Sequence, residues 1–288
     1  MHTVEKIRQN SLRKDEEDPR VWIIAPTLNE AGNIVPLLEA IQRQLFGLQH
    51  SICIVDDGSR DGTVDLIQQF AKRLPESDIR VIQRKKTHHG SQRGSALWIS
   101  TKEGVEKSTS DVFVEMDADL SHRPEELMTG IKLIRSGTCN FAIASKYLMG
   151  SRIVNRPWGR RMVSRVANFA VRVLLSRAIK DYSNGYRFYD RRSAEIIAKH
   201  RMMFGSPIYL SEIVALLLSH GTHFREFRTL YVGRDEGVSK LRLIDLIKAA
   251  IAIVKIAIYY HFGLFKKSVS KHSIEEILTA VEDPLKPV

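Results

Sequence analysis

The chain has 288 residues, 43% of them hydrophobic, and a formal net charge of +11, so it can bury a large core and is not a disordered protein. Two cysteines, Cys53 in an apolar run and Cys139 beside a turn, exclude a disulfide framework or a cysteine-rich zinc site and fit a reducing compartment. The charge favours polyanions such as phosphorylated substrates or anionic lipid; helix-turn-helix spacing, zinc ligands and an aromatic RNA-binding signature are all missing, which argues against nucleic acid.

Residues 1–19 are polar and charged with no apolar h-region, which speaks against an ordinary secretory signal and predicts a flexible leader. Val21–Ala25 then reads as a strand, Pro26-Thr27-Leu28-Asn29-Glu30 as a polar loop, and Asn33–Leu45 as an amphipathic helix. The unit repeats. Ser51–Val55 is a strand, Asp56-Asp57-Gly58-Ser59-Arg60-Asp61-Gly62-Thr63 its loop, and Val64–Arg73 a helix. Ile79–Ile82 leads through Lys85 to Gly94 into a helix over Ser95–Lys107. The Gly90–Gly94 stretch is no Walker loop, since no Gly-Lys-Ser/Thr follows it. Strands alternating with helices in this way predict a mainly parallel sheet with right-handed crossovers, which gathers the loops at one edge.

The fourth strand carries the strongest signal. In Val112–Glu125, VFVEMDADLSHRPE, an apolar run stops at Asp117 and Asp119, one residue apart. Ligands of open α/β sheets bind at the carboxyl ends of strands, and two carboxylates there suit Mg²⁺ or Mn²⁺ and, through it, a diphosphate. The simpler reading is a turn before a helix, with Ser121 or His122 near the cap and Pro124, Glu125 and Glu126 in the first turn. Glu30 and Asp57, arriving from separate loops at the same edge, weigh for a shared site. His122, directly after the carboxylate pair, reads as a loop-organising residue rather than a base.

These residues carry a resemblance. Pro26-Thr27-x-Asn29-Glu30, Asp56-Asp57-Gly58-Ser59-x-Asp61-Gly62-Thr63 and Asp117-Ala118-Asp119-Leu120-Ser121-His122-x-Pro124 look like the family-2 inverting glycosyltransferases of the GT-A fold, and within them like dolichyl- or polyprenyl-phosphate mannosyltransferases. The likeness continues through Arg161, Ser164-Arg165-x-Ala167-Asn168-Phe169, Gly185-Tyr186-Arg187-x-Tyr189, Glu212, and Arg234-x-x-Gly237-x-Ser239-Lys240. It implies an α/β, Rossmann-like GT-A domain over residues 20–242. It places the nucleotide against Pro26, Thr27, Asn29, Glu30 and Asp57, the diphosphate and a Mg²⁺ or Mn²⁺ ion at Asp117, Ala118 and Asp119, and further substrate contacts at Arg187. Arg234, Ser239 and Lys240 fall to a loop that meets the phosphates, and Glu212 to orienting the acceptor. Asp119, Glu212 and Lys240 are thus the catalytic candidates. The implied partners are a nucleotide sugar, GDP-mannose first, and a polyprenyl phosphate at the cytoplasmic face of a membrane, with room for small membrane subunits. Two departures put the sugar or base in doubt: a Gly-Leu-Gly-like segment is replaced by His88-His89-Gly90-Ser91-Gln92-Arg93-Gly94, and a Ser-Arg-Tyr-like site reads Ser145-Lys146-Tyr147. Lysine lacks the bidentate fork of arginine. A UDP-sugar donor, such as UDP-glucose, and a catalytically silent basic binding protein are the alternatives.

In the second half, Trp158–Arg177 reads as a basic amphipathic helix, either an ordinary core helix with a solvated face or one lying on anionic lipid, with the resemblance favouring lipid. Leu243–Phe265 is apolar and of spanning length, but Lys248 and Lys255 lie within it, and a central lysine costs about 2.5–3.5 kcal/mol on insertion. It reads as an amphipathic helix in the membrane interface or packed on a partner, followed by a peripheral tail over residues 266–288.

Overall fold

The computed structural model describes residues 18–84, 92–155, 158–233 and 243–266. Among them a seven-stranded sheet runs in the order β3-β2-β1-β4-β7-β5-β8. Strands β1 (Val21–Thr27), β2 (His50–Asp56), β3 (Asp78–Gln83) and β4 (Val112–Glu115) are parallel, linked by α1 (Ile34–Gln44), α2 (Thr63–Arg73) and α3 (Arg93–Lys107). After α4 (Leu127–Arg135), β5 (Phe141–Ser145) returns parallel to β8 (Phe224–Arg228), while β7 (Arg187–Asp190) enters antiparallel between β4 and β5. β6 (Arg152–Val154) and β9 (Leu230–Val232) form a small second sheet. The chain also contains α5 (Trp158–Leu174), α6 (Arg191–Lys199), α7 (Tyr209–Ser219) and α8 (Leu243–His261).

The central strands read as unbroken apolar runs because both of their faces are covered. Trp22, Ile24, Cys53, Val55 and Phe113 point into a layer shared with α3, α6, α7 and one face of α8. Their alternates Val21, Ile23, Ala25, Ile52, Ile54, Val112 and Val114 pack against α1, α2 and α4. Helix α3 lies so close to the sheet that a Cβ on Gly104 would sit 2.7 Å from the Trp22 ring and 2.8 Å from Phe113. The layers fix the strand register, since a slip of one residue would exchange the two apolar sets.

Element ends differ modestly from the sequence reading. β1 runs on to Thr27, and β4 stops at Glu115, so the Asp-x-Asp segment has already left the sheet. α5 stops at Leu174 rather than Arg177. α8 stops at His261, where a turn with Gly263 at φ 65° precedes one further helical turn. No helix among the described residues is long and apolar enough to cross a membrane.

Candidate functional site

Parallel strands deliver their following loops to one edge, and here the loops are stitched together. Asn29, in the left-handed region at φ 56°, accepts the Arg60 N–H on Oδ1 at 2.9 Å and donates its own N–H to the Ser59 hydroxyl at 2.8 Å. The Glu30 N–H donates to the Thr63 hydroxyl and the Ala31 N–H to Asp61, each at 2.9 Å. The Glu30 carboxylate, nearly buried, accepts from the Asn33 side chain at 2.9 Å, and Pro26 stands half-buried at the end of β1.

The two adjacent aspartates of the second loop divide their work. Asp56 is consumed internally by the Gly58 and Ser59 N–H groups and by the Thr27 and Ser59 hydroxyls. Asp57, whose N–H donates to the Thr27 carbonyl at 3.0 Å, presents Oδ1 to the Arg84 guanidinium at 2.6–2.7 Å. Arg84 also reaches the Ser95 hydroxyl and the Gln92 carbonyl, tying the second loop to the start of α3. It follows β3 directly, the same strand-end position that marks Asp57 and Asp117, and the sequence reading passed it over by starting the loop at Lys85.

At the end of β4 the Asp117 N–H donates to Nδ1 of His122 at 2.9 Å. His122 is 2% exposed, stacks on Tyr186 and meets Asn184 Oδ1 through Nε2 at 3.0 Å. Since Nδ1 accepts, the ring proton sits on Nε2, and burial pushes the imidazole pKa down, keeping the ring neutral. The sequence expectation that His122 organises the loop agrees with this geometry. Asp119 accepts the Ser121 N–H at 3.0 Å across Leu120, a bulky residue held at φ 60°, a conformation that persists only where the surroundings enforce it. The Asp117 carboxylate faces Arg93, whose Nη1 lies 3.1 Å from each carboxylate oxygen.

Asp117 and Asp119 are the carboxylates that the sequence reading assigns to a divalent cation. Two residues beyond Asp119, the Ser121 hydroxyl is buried without a hydrogen-bond partner among the described residues. No group of three or more His, Cys, Asp or Glu suited to a metal occurs among those residues. Two carboxylates with few further protein ligands suit Mg²⁺ or Mn²⁺ completed by phosphate oxygens and water.

Arg187, assigned to substrate contact from the sequence, and Glu212, assigned to orienting the acceptor, are both fully buried among partners of the fold. Arg187 is fully buried and donates to the carbonyls of Asn184, Leu210 and Tyr182, so it braces loops rather than facing a ligand. Glu212, fully buried on α7, accepts from the Met203 N–H at 2.7 Å and the Phe204 N–H at 3.1 Å and meets His200 at 2.7 Å. Through these bonds to His200 and to the N–H groups of Met203 and Phe204, its carboxylate holds the 200–204 segment. Glu115 is buried as well, bonded by the hydroxyls of Tyr189 and Tyr209, and burial pushes its pKa up. Lys146 donates its N–H to Asp181 at 2.8 Å and sets its ammonium 5.0 Å from the centre of the Tyr231 ring. Ala118 is buried beside the carboxylate pair. Arg234, Ser239 and Lys240, the His88–Ser91 loop and the tail beyond Lys266 lie outside the described residues.

Helix α5 turns its apolar residues outward. Trp158, Val166 and Phe169 are 76%, 64% and 65% exposed. On the same helix Val171 is buried in the core layer. On α8, Ile253, Ile256 and Ala257 are buried, while Ile247, Ile251, Val254 and Ile258 remain exposed on the face that carries Lys248 and Lys255.

The sequence model of glycosyl transferase family 2 matches residues 22–197. A polyprenol monophosphomannose synthase of Mycolicibacterium smegmatis is 33% identical over 77% of this chain and 81% of its own length. An undecaprenyl-phosphate mannosyltransferase of Micrococcus luteus is 32% identical over 77% and 87%. A dolichol-phosphate mannosyltransferase of Pyrococcus furiosus is 36% identical over 58% of this chain, which spans only 45% of that relative's length. Among solved structures, the glucosyl-3-phosphoglycerate synthase of Mycobacterium tuberculosis in complex with UDP superposes with a TM-score of 0.59 at 16% identity, covering 86% of this chain and 83% of that one. The same enzyme solved with Mn²⁺, UDP and glucosyl-3-phosphoglycerate gives a TM-score of 0.57 at 15% identity, over 88% and 83%. With its parallel sheet, its Asp-x-Asp loop at the carboxyl edge and these matches, the chain belongs to glycosyl transferase family 2 and is a glycosyltransferase.

Proposed function

We propose that the chain transfers mannose from GDP-mannose to a polyprenyl phosphate at the cytoplasmic face of a membrane, with inversion at the anomeric carbon and a bound Mg²⁺ or Mn²⁺ ion. The observation that carries the reading is the Asp117–Asp119 loop, fixed by His122 and Ser121 at the edge where the loops after β1, β2 and β3 are bonded together. The names of the bacterial and archaeal relatives support the lipid phosphate acceptor.

In this reading Asp117, Asp119 and the Ser121 hydroxyl hold the cation, which when bound supplies positive charge against the departing nucleotide diphosphate. The Asn29–Glu30 and Asp57–Arg84 loops form the wall for the nucleoside. Asp57 is oriented by its bond to the Arg84 guanidinium, so it offers a fixed acceptor. Arg234 and Lys240 add cationic contacts to phosphate oxygens. A phosphate monoester with a second pKa of about 6 is largely a dianion at neutral pH, so the acceptor needs no strong general base. That agrees with the placement of Glu212, which is bonded inside the fold. The outward apolar faces of α5 and α8, bearing Arg165, Arg172, Lys248 and Lys255, suit a peripheral seat on anionic lipid that brings the crevice to its acceptor.

A UDP-glucose donor is the second reading, favoured by Lys146 standing where the resemblance expects arginine. Radiolabelled GDP-mannose, UDP-glucose and UDP-galactose, each incubated with polyprenyl phosphate and with 3-phosphoglycerate, separate the readings. Label from GDP-mannose in the organic phase is the expected result. Label only from a UDP-sugar moves the donor assignment, and label only in the aqueous product removes the lipid acceptor.

A further inference from the structure

Beside α5 lies a groove of about 650 Å³, within the range of about 300–1,000 Å³ usual for small-ligand sites. Its charge has one sign. Arg165, Arg172 and Lys180 line it, and none of its lining residues among those described is acidic. Arg165, Phe169 and Arg172 follow one another at helical spacing along one face of α5, so the aromatic ring stands between two guanidinium groups. Phe169 and Met149, which also line the groove, are 65% and 87% exposed.

The backbone around the groove is held firmly. Asn168, 6% exposed, donates through Nδ2 to the Lys180 carbonyl at 2.6 Å and accepts the Tyr182 N–H at 2.8 Å, which ties the turn carrying Lys180 to α5. Glu226 accepts the N–H groups of Lys180 and Asp181, each at 2.9 Å, so that carboxylate is occupied by backbone. On the other wall the Tyr147 hydroxyl meets the Ser164 hydroxyl at 3.0 Å. The cationic groups are not spent in this way. Arg172 gives one N–H to the Arg177 carbonyl at 3.3 Å, and its Nε is buried with no hydrogen-bond partner among the described residues. Neither the Arg165 guanidinium nor the Lys180 ammonium enters an ion pair among those residues. Phosphate oxygens are the acceptors that suit such a set. The exposed Met149 and Phe169 then decide the class of phosphate, because only a ligand that also carries hydrocarbon removes them from water.

We propose that this groove seats the headgroup of one anionic phospholipid, its phosphate taken by Arg165, Arg172 and Lys180 and its chains laid over Phe169 and Met149. This rests on the peripheral membrane seat in the proposed function and deepens it, adding a saturable site to a general attraction for anionic lipid.

The test is calorimetric titration of the full chain with dihexanoyl phosphatidylglycerol below its micelle-forming concentration, with dihexanoyl phosphatidylcholine and with inorganic phosphate. The parent is expected to bind the phosphatidylglycerol one to one, and the other two at least several-fold more weakly. Arg172→Gln with Lys180→Gln should weaken that binding several-fold; Lys180→Gln alone, at an exposed position, gives a smaller loss in the same direction should the double variant fold poorly. Farnesyl phosphate is expected to leave the bound phosphatidylglycerol in place. Equal affinity for phosphatidylcholine, equal affinity for inorganic phosphate, displacement by farnesyl phosphate, or parental affinity in both variants would overturn the proposal. Binding as expected, with no transfer from any nucleotide sugar to polyprenyl phosphate, would instead sink the proposed acceptor and keep the headgroup site.

Discussion

The N–H of Asp117 donates to Nδ1 of His122 at 2.9 Å, and this bond assigns the imidazole its proton and the carboxylate loop its shape. The ring is neutral, buried, and turned by Asn184 at its far nitrogen. His122→Phe preserves the stacking on Tyr186 but leaves the Asp117 N–H without an acceptor. Loss of a residue that orients a metal ligand typically costs about 10- to 100-fold in metal affinity or activity. We expect that loss in kcat, together with a fall in stability of about 1–3 kcal/mol from the unpaired Asp117 N–H. A kcat equal to that of the parent would show that the loop holds its shape without the histidine.

Asp61 links the first two loops, accepting from Ala31, from the Thr63 N–H and from the Thr63 hydroxyl. The Thr63 hydrogen bond is the main cause of its lowered pKa. A lowered acid contributes stability that is complete above its unfolded value of about 3.9 and is lost as pH falls through the folded value. Asp61→Ala is therefore expected to cost about 1 kcal/mol at neutral pH, as for other side chains that cap backbone N–H groups. Urea melts across the acid range should show the gap between parent and variant closing below that value. A gap that persists at the lowest pH would mean the loss comes from packing.

Arg187 and Glu212 give a paired expectation. Arg187→Met strips buried partners from three carbonyls, and Glu212→Gln sets an amide N–H₂ against backbone donors. Each should lower stability by about 2–4 kcal/mol. Nucleotide affinity of the folded fraction should stay near the parent value. A Glu212→Gln enzyme with parental melting and no turnover would restore the acceptor-orienting role.

The outward face of α5 predicts lipid dependence. Val166→Glu with Phe169→Glu changes residues that are 64% and 65% exposed, so melting should be unaffected. Flotation with vesicles containing anionic lipid should fall sharply, and more so at high salt, where the flanking arginines are screened. Undiminished flotation would place the membrane contact elsewhere.

The frame of the fold was open to reading because β1, β2 and β4 are buried on both faces and announce themselves as apolar runs, and each run ends where a polar loop must leave the sheet. That logic located Asp57, Asp117 and Asp119. It stopped at contacts between distant segments. The entry of β7 antiparallel beside β4 follows from packing with no local periodicity to mark it, and the burial of Arg187 and Glu212 depends on carbonyls and amides brought in by folding. A charged residue in a family motif looks the same on paper whether it meets a ligand or a loop. Arg93 and Arg84 were missed for the same reason, as their partners lie 24 and 27 residues away.

The central claim is tested most directly by one comparison: transfer of labelled mannose from GDP-mannose to polyprenyl phosphate by the parent chain and by Asp119→Asn, with Mn²⁺ or Mg²⁺ and with EDTA, alongside thermal melting. The account predicts label in the organic phase for the parent with cation, nearly none in EDTA or for Asp119→Asn, and equal melting of the two proteins. Undiminished transfer by Asp119→Asn, or full transfer in EDTA, would contradict it.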